Sequence, residues 1–214
     1  MRNKLLAIDL SSTCTGYSLW DIESKSLLEY GFLKPSFKVP KVKGIPTLSY
    51  PQLQASKLAH FAEELVREIM QDESITYVAI EEINGSKNRL GQKTLDGLHW
   101  LLLDRMPKNL FGKVRYFDSD GKTGWRSAQG LKLQLSEQDK MLNKDTKAFN
   151  KKIAKGTKKK PVITQKTLAA RLVNKLFNLS LDVDVNESDA DIADAIGLGY
   201  FVLTKVMTNQ VTEG

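Results

Sequence analysis

Apolar positions follow two rhythms along this chain. Leu5-Leu6-Ala7-Ile8 is an unbroken apolar run that stops at Asp9, the pattern of a strand buried on both faces. Ser11-Ser12-Thr13 follow, and Gly16 opens a second strand in which Tyr17, Leu19 and Asp21 alternate with Ser18, Trp20 and Ile22. A third strand is predicted at about 27–33. Residues 34–51 hold Pro35, Pro40, Pro46 and Pro51 among Lys34, Lys38, Lys41 and Lys43, which reads as an irregular basic loop. The period then changes. Leu53, Leu58, Phe61, Leu65 and Ile69 mark an amphipathic helix over 52–71, with Glu63, Glu64, Arg67 and Glu68 largely off its apolar stripe and His60 an ordinary helix residue.

Residues 77–83 repeat the first strand: Tyr77-Val78-Ala79-Ile80 runs into Glu81-Glu82. Alternation groups Glu81 with Ala79 and Tyr77, and Glu82 with Ile80 and Val78, and does not choose between them. A helix is predicted over 92–105, with Leu95, Leu98, Leu102 and Met106 on one side and Trp100 and Leu103 elsewhere, so it is core or an oligomer contact. A fifth strand at 114–117 ends in Asp118-Ser119-Asp120-Gly121, a turn without calcium-loop spacing. Trp125-Arg126 can stack on bases and bind phosphate; alternatively Trp125 packs under the helix predicted over 127–141. A helix over 164–178 is capped by Thr164, an acidic loop covers 182–186, and a last helix runs over 188–206 before eight frayed residues.

Asp191 and Asp194 are three residues apart on that last helix and share a face. Acids near a helix N-terminus also suit the dipole. Yet alanines surround them, no basic residue stands at helix spacing, and an apolar run follows. Three segments thus bring acids to the edge of buried elements, and a bare carboxylate there needs a partner or a cation. Together they point to a site for two hard cations.

Composition narrows the chemistry. With 214 residues and 41% hydrophobic, the chain suits one globular domain spanning 1–214, and no second domain or internal repeat shows. No apolar run approaches the ~20 residues of a membrane span, so no membrane partner is expected. Charges interrupt the N-terminal apolar run, so no secretory signal is expected and a cytoplasmic location is. Cys14 is the only cysteine and His60 and His99 the only histidines, which argues against a disulfide, a cysteine or histidine zinc site and a Ser-His-Asp triad. The formal charge is +7, and the stretch 139–161 alone holds nine lysines against two aspartates. A basic loop or insertion there, with Lys151, Lys152, Lys158, Lys159 and Lys160, suggests a polyanionic partner; a solvated loop is the alternative.

Four pieces of this sequence resemble the RuvC family of Holliday-junction resolvases, within the RNase H-like nuclease superfamily. They are residues 8–17, Ile-Asp-Leu-Ser-Ser-Thr-Cys-Thr-Gly-Tyr; Ala79-Ile80-Glu81-Glu82 with Lys87-Asn88; Gln165-Lys166-Thr167 ahead of a helix; and residues 190–196, Ala-Asp-Ile-Ala-Asp-Ala-Ile. Residues 34–50 and 118–162 look expanded or unfamiliar beside that pattern. The resemblance implies an α/β RNase H-like fold: a five-stranded mixed sheet, three antiparallel then two parallel, flanked by helices. It implies catalytic, metal-binding Asp9, Glu81, Asp191 and Asp194, favouring Glu81 over Glu82 and leaving Asp189 as a substitute. Lys166 becomes a transition-state or phosphate contact, and Lys151, Lys152, Lys158, Lys159, Lys160, Trp125 and Arg126 the DNA contacts. It further implies two magnesium ions, replaceable by manganese, and a homodimer that cuts opposed strands of a four-way junction, leaving 5′-phosphates, in recombination and repair in a bacterial or phage-infected cell. Bacterial members carry an aromatic three residues after the catalytic Glu; here Asn84 stands there, which bears on sequence preference and junction opening. The rival classes are a looser structure-selective nuclease or ribonuclease of the same superfamily, a non-catalytic DNA-binding relative, and the actin-like ATP-binding kinases, which need two such folds.

Overall fold

In the computed structural model, the described residues are 3–38, 51–82, 89–119, 124–128, 135–153, 157 and 159–208. Five strands form one sheet: β1 (Lys4–Asp9), β2 (Thr15–Asp21), β3 (Ser26–Leu33), β4 (Ile75–Glu82) and β5 (Val114–Asp118), in the order β3-β2-β1-β4-β5. β1 pairs antiparallel with β2 and parallel with β4, β2 pairs antiparallel with β3, and β4 parallel with β5. This is the five-stranded mixed sheet expected from the sequence, three strands antiparallel and two parallel. β1 is central, which explains its unbroken apolar run.

Among the described residues six α-helices flank it: α1 (Pro51–Ile69), α2 (Arg89–Arg105), α3 (Trp125–Ala128), α4 (Glu137–Lys152), α5 (Gln165–Phe177) and α6 (Ser188–Phe201). α6 runs on into a π-helical turn, Val202–Val206. Among the described residues no helix is long and apolar enough to cross a membrane.

Side-chain alternation splits the core in two. Leu6, Ile8, Val78 and Ile80 face Phe61 and Leu65 of α1 and Leu98 and Leu102 of α2. Leu5, Ala7, Trp20 and Ala79 point the other way, into Ala170 and Val173 of α5, Ile196 and Leu198 of α6, and Trp125. α6 lies so close to the sheet that a Cβ on Gly16 of β2 would stand 2.0 Å from the Asp191 carbonyl oxygen. The Ser18 hydroxyl fixes the approach by donating to the Ala195 carbonyl at 2.8 Å, and the Trp20 indole donates to Ser18 at 2.8 Å.

Several expectations are corrected. The basic stretch 139–161 is not a loop throughout, because its first half is α4, started by a capping box in which Ser136 and Asp139 satisfy each other's backbone N–H. The helix predicted over 127–141 is two helices, with 129–134 outside the described residues. Glu64 is buried rather than off the stripe: the backbone N–H and hydroxyl of Ser36 both donate to its carboxylate. Asn84 and Lys158 lie outside the described residues, as do 39–50 and 209–214.

Candidate active site

The register of the sheet builds the site. Ile8 of β1 is aligned with Ile80 of β4, so the next residues, Asp9 and Glu81, emerge side by side on the face that α6 covers. α6 supplies Asp194 from its second turn and Asp191 from its first. Asp9, Glu81 and Asp194 are all buried, at 6%, 3% and 1% exposure. Glu82 points to the opposite face and is exposed. Asp189 is elsewhere: its carboxylate accepts from the Asp182 N–H at 2.8 Å and the Asn186 amide at 2.6 Å, bracing the acidic loop.

Lys166 stands at the rim, on the first turn of α5, where Thr164 and Thr167 form a capping box. Its ammonium donates to Asp191 Oδ1 at 2.9 Å. Burial works to lower the Lys166 pKa, but the bond to Asp191 and the charges of Asp191, Asp194 and Asp9 raise it above the usual lysine value. Cys14 borders the same corner, its thiol pushed up to about 11 by burial and by hydrogen bonding to Asp191.

Trp125 and Arg126 do not serve as exposed DNA contacts. Trp125 is fully buried and its Nε1 donates to Glu81 Oε2 at 2.9 Å. It packs on α6, where a Cβ on Gly197 would stand 2.6 Å from its ring. The Arg126 guanidinium reaches Asp194 Oδ2 at 2.8 Å and Glu81 Oε1 at 3.3 Å. Sequence reasoning marked both residues, but for the wrong partner. Their burial depends on Gly197 and on α6, some 70 positions away in the chain, and no local pattern announces it.

The basic segment is folded back rather than free. The Asn150 side chain holds Lys160 through its N–H and carbonyl, at 2.9 and 2.8 Å, and Asn143 holds Ile163 likewise, at 2.7 and 2.8 Å. Arg171 of α5 donates to Asp139 of α4 at 2.8 Å. Lys151, Lys152 and Lys159 remain exposed, while the Lys160 ammonium sits 4.3 Å over the Phe149 ring.

Burial and mutual repulsion set the electrostatics of the acids. Burial first, then the charges of Glu81 and Asp194, push Asp9 well above the usual carboxylate range. Burial and Asp194 raise Glu81 to about 7 against the lowering pull of Arg126. Asp194 is raised by burial while Arg126 and Lys166 hold it down. Its Oδ1 is buried with no hydrogen-bond partner among the described residues, a group that a hard cation satisfies. An all-carboxylate donor set fits magnesium or manganese. As the residues stand, no three ligating side chains among those described close up around one cation position.

A stability dependence follows. An acid whose folded pKa is raised favours the fold when protonated, so its contribution is full below the unfolded value and is lost as pH rises through the folded one. For Glu81 that window runs from about 4.3 to about 7. The metal-free protein is therefore expected to lose stability as pH rises from about 5 to about 7, at a slope of up to about 1.4 kcal/mol per pH unit from this one group. Asp72, lowered to about 2 by Lys4 and Ser74, acts only at the acid end. Thermal melts in chelator across pH check this; a melting temperature that climbs over the same range contradicts it.

No family profile matches the chain, and no curated protein matches it. Solved structures do. Thermus thermophilus RuvC in complex with Holliday junction substrate is 12% identical over 96% of each chain, with a TM-score of 0.48. A second Thermus thermophilus RuvC structure is 15% identical over 96% of each, with a TM-score of 0.42. The yeast mitochondrial Holliday junction resolvase Ydc2 is 9% identical, covering 99% of this chain and 84% of its own, with a TM-score of 0.47. At such values, what this chain does has to be read from its own residues.

Proposed function

We propose that this chain is a divalent-metal-dependent endodeoxyribonuclease that resolves four-way DNA junctions by phosphodiester hydrolysis, acting as a homodimer in the cytoplasm of a bacterial or phage-infected cell. One observation carries the reading: Asp9, Glu81 and Asp194 are brought from three separate elements into one buried cluster at the end of the central strands, with Lys166 at its rim. Three mutually repelling carboxylates are buried there, and that burial costs stability even with Arg126 and Trp125 bonded to two of them.

Asp9, Glu81, Asp194 and Asp191 are the residues that would hold two magnesium or manganese ions in the working complex. Bound there, such ions would supply Lewis acidity for hydrolysis that leaves a 5′-phosphate. The chain does the rest. The buried walls exclude bulk water from around the acids, so charges act there at greater strength than in solvent. Lys166, half exposed, can shift from Asp191 to a phosphate oxygen at the rim. Lys151, Lys152 and Lys159 hold flanking phosphates and offset the repulsion between DNA and an acidic site.

The test of the reading is a cleavage panel with magnesium: four-way junction, flap, plain duplex and RNA–DNA hybrid of matched sequence. The expected result is paired nicks in the junction and little product elsewhere. Preferential cutting of flap or hybrid would move the activity to the looser nuclease or ribonuclease class.

The lysines make a separate expectation. Each phosphate that no longer meets a lysine flattens the slope of log affinity against log salt by about 0.9. Replacing Lys151, Lys152 and Lys159 together by Ala is expected to flatten it by roughly two to three units with folding unchanged, since all three are exposed. The check is binding of an uncleavable junction at several salt concentrations; an unchanged slope removes these lysines from the DNA path.

A further inference from the structure

The acid cluster already contains a cation that belongs to the chain. Arg126 Nη2 lies 2.8 Å from Asp194 Oδ2 and 3.3 Å from Glu81 Oε1, so the guanidinium bridges carboxylates from β4 and α6. It is not a surface arginine that happens to lean inward. Its side chain is 10% exposed, and its guanidinium lies 4.7 Å over the Trp125 ring. Trp125 is itself locked, fully buried, bonded to Glu81 and seated in the space that Gly197 leaves on α6. α3 is thus a short device that presents one fixed positive charge to the cluster.

Charge counting gives this placement a consequence. Among the described residues, Asp9, Glu81, Asp191 and Asp194 face two of the chain's own cations, Lys166 on Asp191 and Arg126 on Glu81 and Asp194. With all four acids ionised, the formal charge left over is minus two, which one divalent ion cancels. A second ion would bring a formal charge of plus two into a buried site, at a high cost in a low-dielectric setting. An incoming phosphate offsets part of that.

We propose that Arg126 is a built-in counter-cation of the acid cluster, holding the place of one metal ion, so that the DNA-free protein takes up a single divalent ion and a second joins only together with phosphate. The proposal rests on the metal-dependent reading above. It gives Arg126 a positioning role, acting through Glu81 and Asp194, rather than a DNA-binding one.

The test uses the whole chain without DNA. Manganese binding is measured by calorimetry and by the loss of the free-ion magnetic resonance signal, for the wild type, Arg126→Gln and Arg126→Lys. The wild type is expected to bind one ion. Arg126→Gln is expected to bind manganese at least about tenfold more tightly and to take up more than one ion. Arg126→Lys, which keeps the charge, should retain the count of one. In chelator Arg126→Gln should melt below the wild type, and saturating manganese should close the gap. Two ions in the DNA-free wild type, or a folded Arg126→Gln with unchanged affinity and count, overturns the proposal while leaving the nuclease reading intact. No uptake by any variant at millimolar manganese overturns both. If Arg126→Gln does not fold, the wild-type and Arg126→Lys counts still decide.

Discussion

Asp9→Asn is expected to lower junction cleavage at least about a thousandfold while raising the melting temperature of the metal-free protein. The two effects come from one cause. Asp9 is buried, its charge opposed first by desolvation and then by Glu81 and Asp194, with Lys166 alone helping it. Asn approximates the protonated side chain in size and shape, so the folded chain no longer carries that charge. Each tenfold by which folding disfavours the ionised form is worth about 1.4 kcal/mol, or about 3–5 °C for a domain of this size. The same substitution removes an anionic ligand of the proposed metal site, and losing several kcal/mol of transition-state stabilisation is a thousandfold in rate at about 1.4 kcal/mol per tenfold. Binding of uncleaved junction should survive, because the lysines proposed to hold phosphate are elsewhere. The checks are single-turnover cleavage in magnesium and a melt in chelator at pH 8. Loss of both activity and stability would mean that Asp9 is a structural residue. Glu82→Gln, on the exposed face, should change neither.

Gly16→Ala is expected to cost more stability than any other single-methyl change at a glycine of the sheet, at least about 3 kcal/mol. The new Cβ would stand 2.0 Å from the Asp191 carbonyl oxygen, 2.3 Å from its carbon and 2.9 Å from the Ile192 nitrogen. All three are backbone atoms, so no rotamer can give way; α6 must move as a body. That movement would carry Asp191 and Asp194 away from β1 and β4, so activity should fall together with stability. Gly97→Ala is the control: its nearest contact is a Leu58 methyl at 3.5 Å, and within α2 the change favours the helix by up to about 1 kcal/mol. Denaturant unfolding of the two variants measures both effects. A Gly16→Ala protein as stable as the wild type would mean that α6 does not rest on β2 as described.

How much of this could be read from the chain depends on the range of the forces involved. Leu5–Ile8 and Val78–Ile80 announce buried strands because a strand covered on both faces has no polar positions to spare. The acids stand out where those runs end, and Thr164 caps the helix it was expected to cap. The choice between Glu81 and Glu82 was beyond periodicity, since each lies on a consistent face; only the alignment of Ile8 with Ile80 puts Glu81 beside Asp9. The helix predicted over 127–141 reaches only the start of α4. Lysine forms helix well, and Ser136 with Asp139 three residues on is the start signal, but the density of charge suggested a loop. Trp125 and Arg126 were out of reach, because their surroundings are made by Gly197, Glu81 and Asp194, all distant in sequence.

Anomalous scattering from crystals soaked in millimolar manganese near neutral pH shows whether the buried acids form a divalent-cation site. The expected result is an anomalous peak bounded by the carboxylates of Asp9, Glu81 and Asp194, absent from crystals of Asp9→Asn under the same soak. A well-ordered cluster with no peak at that position, and manganese bound only at other surface acids, would contradict it.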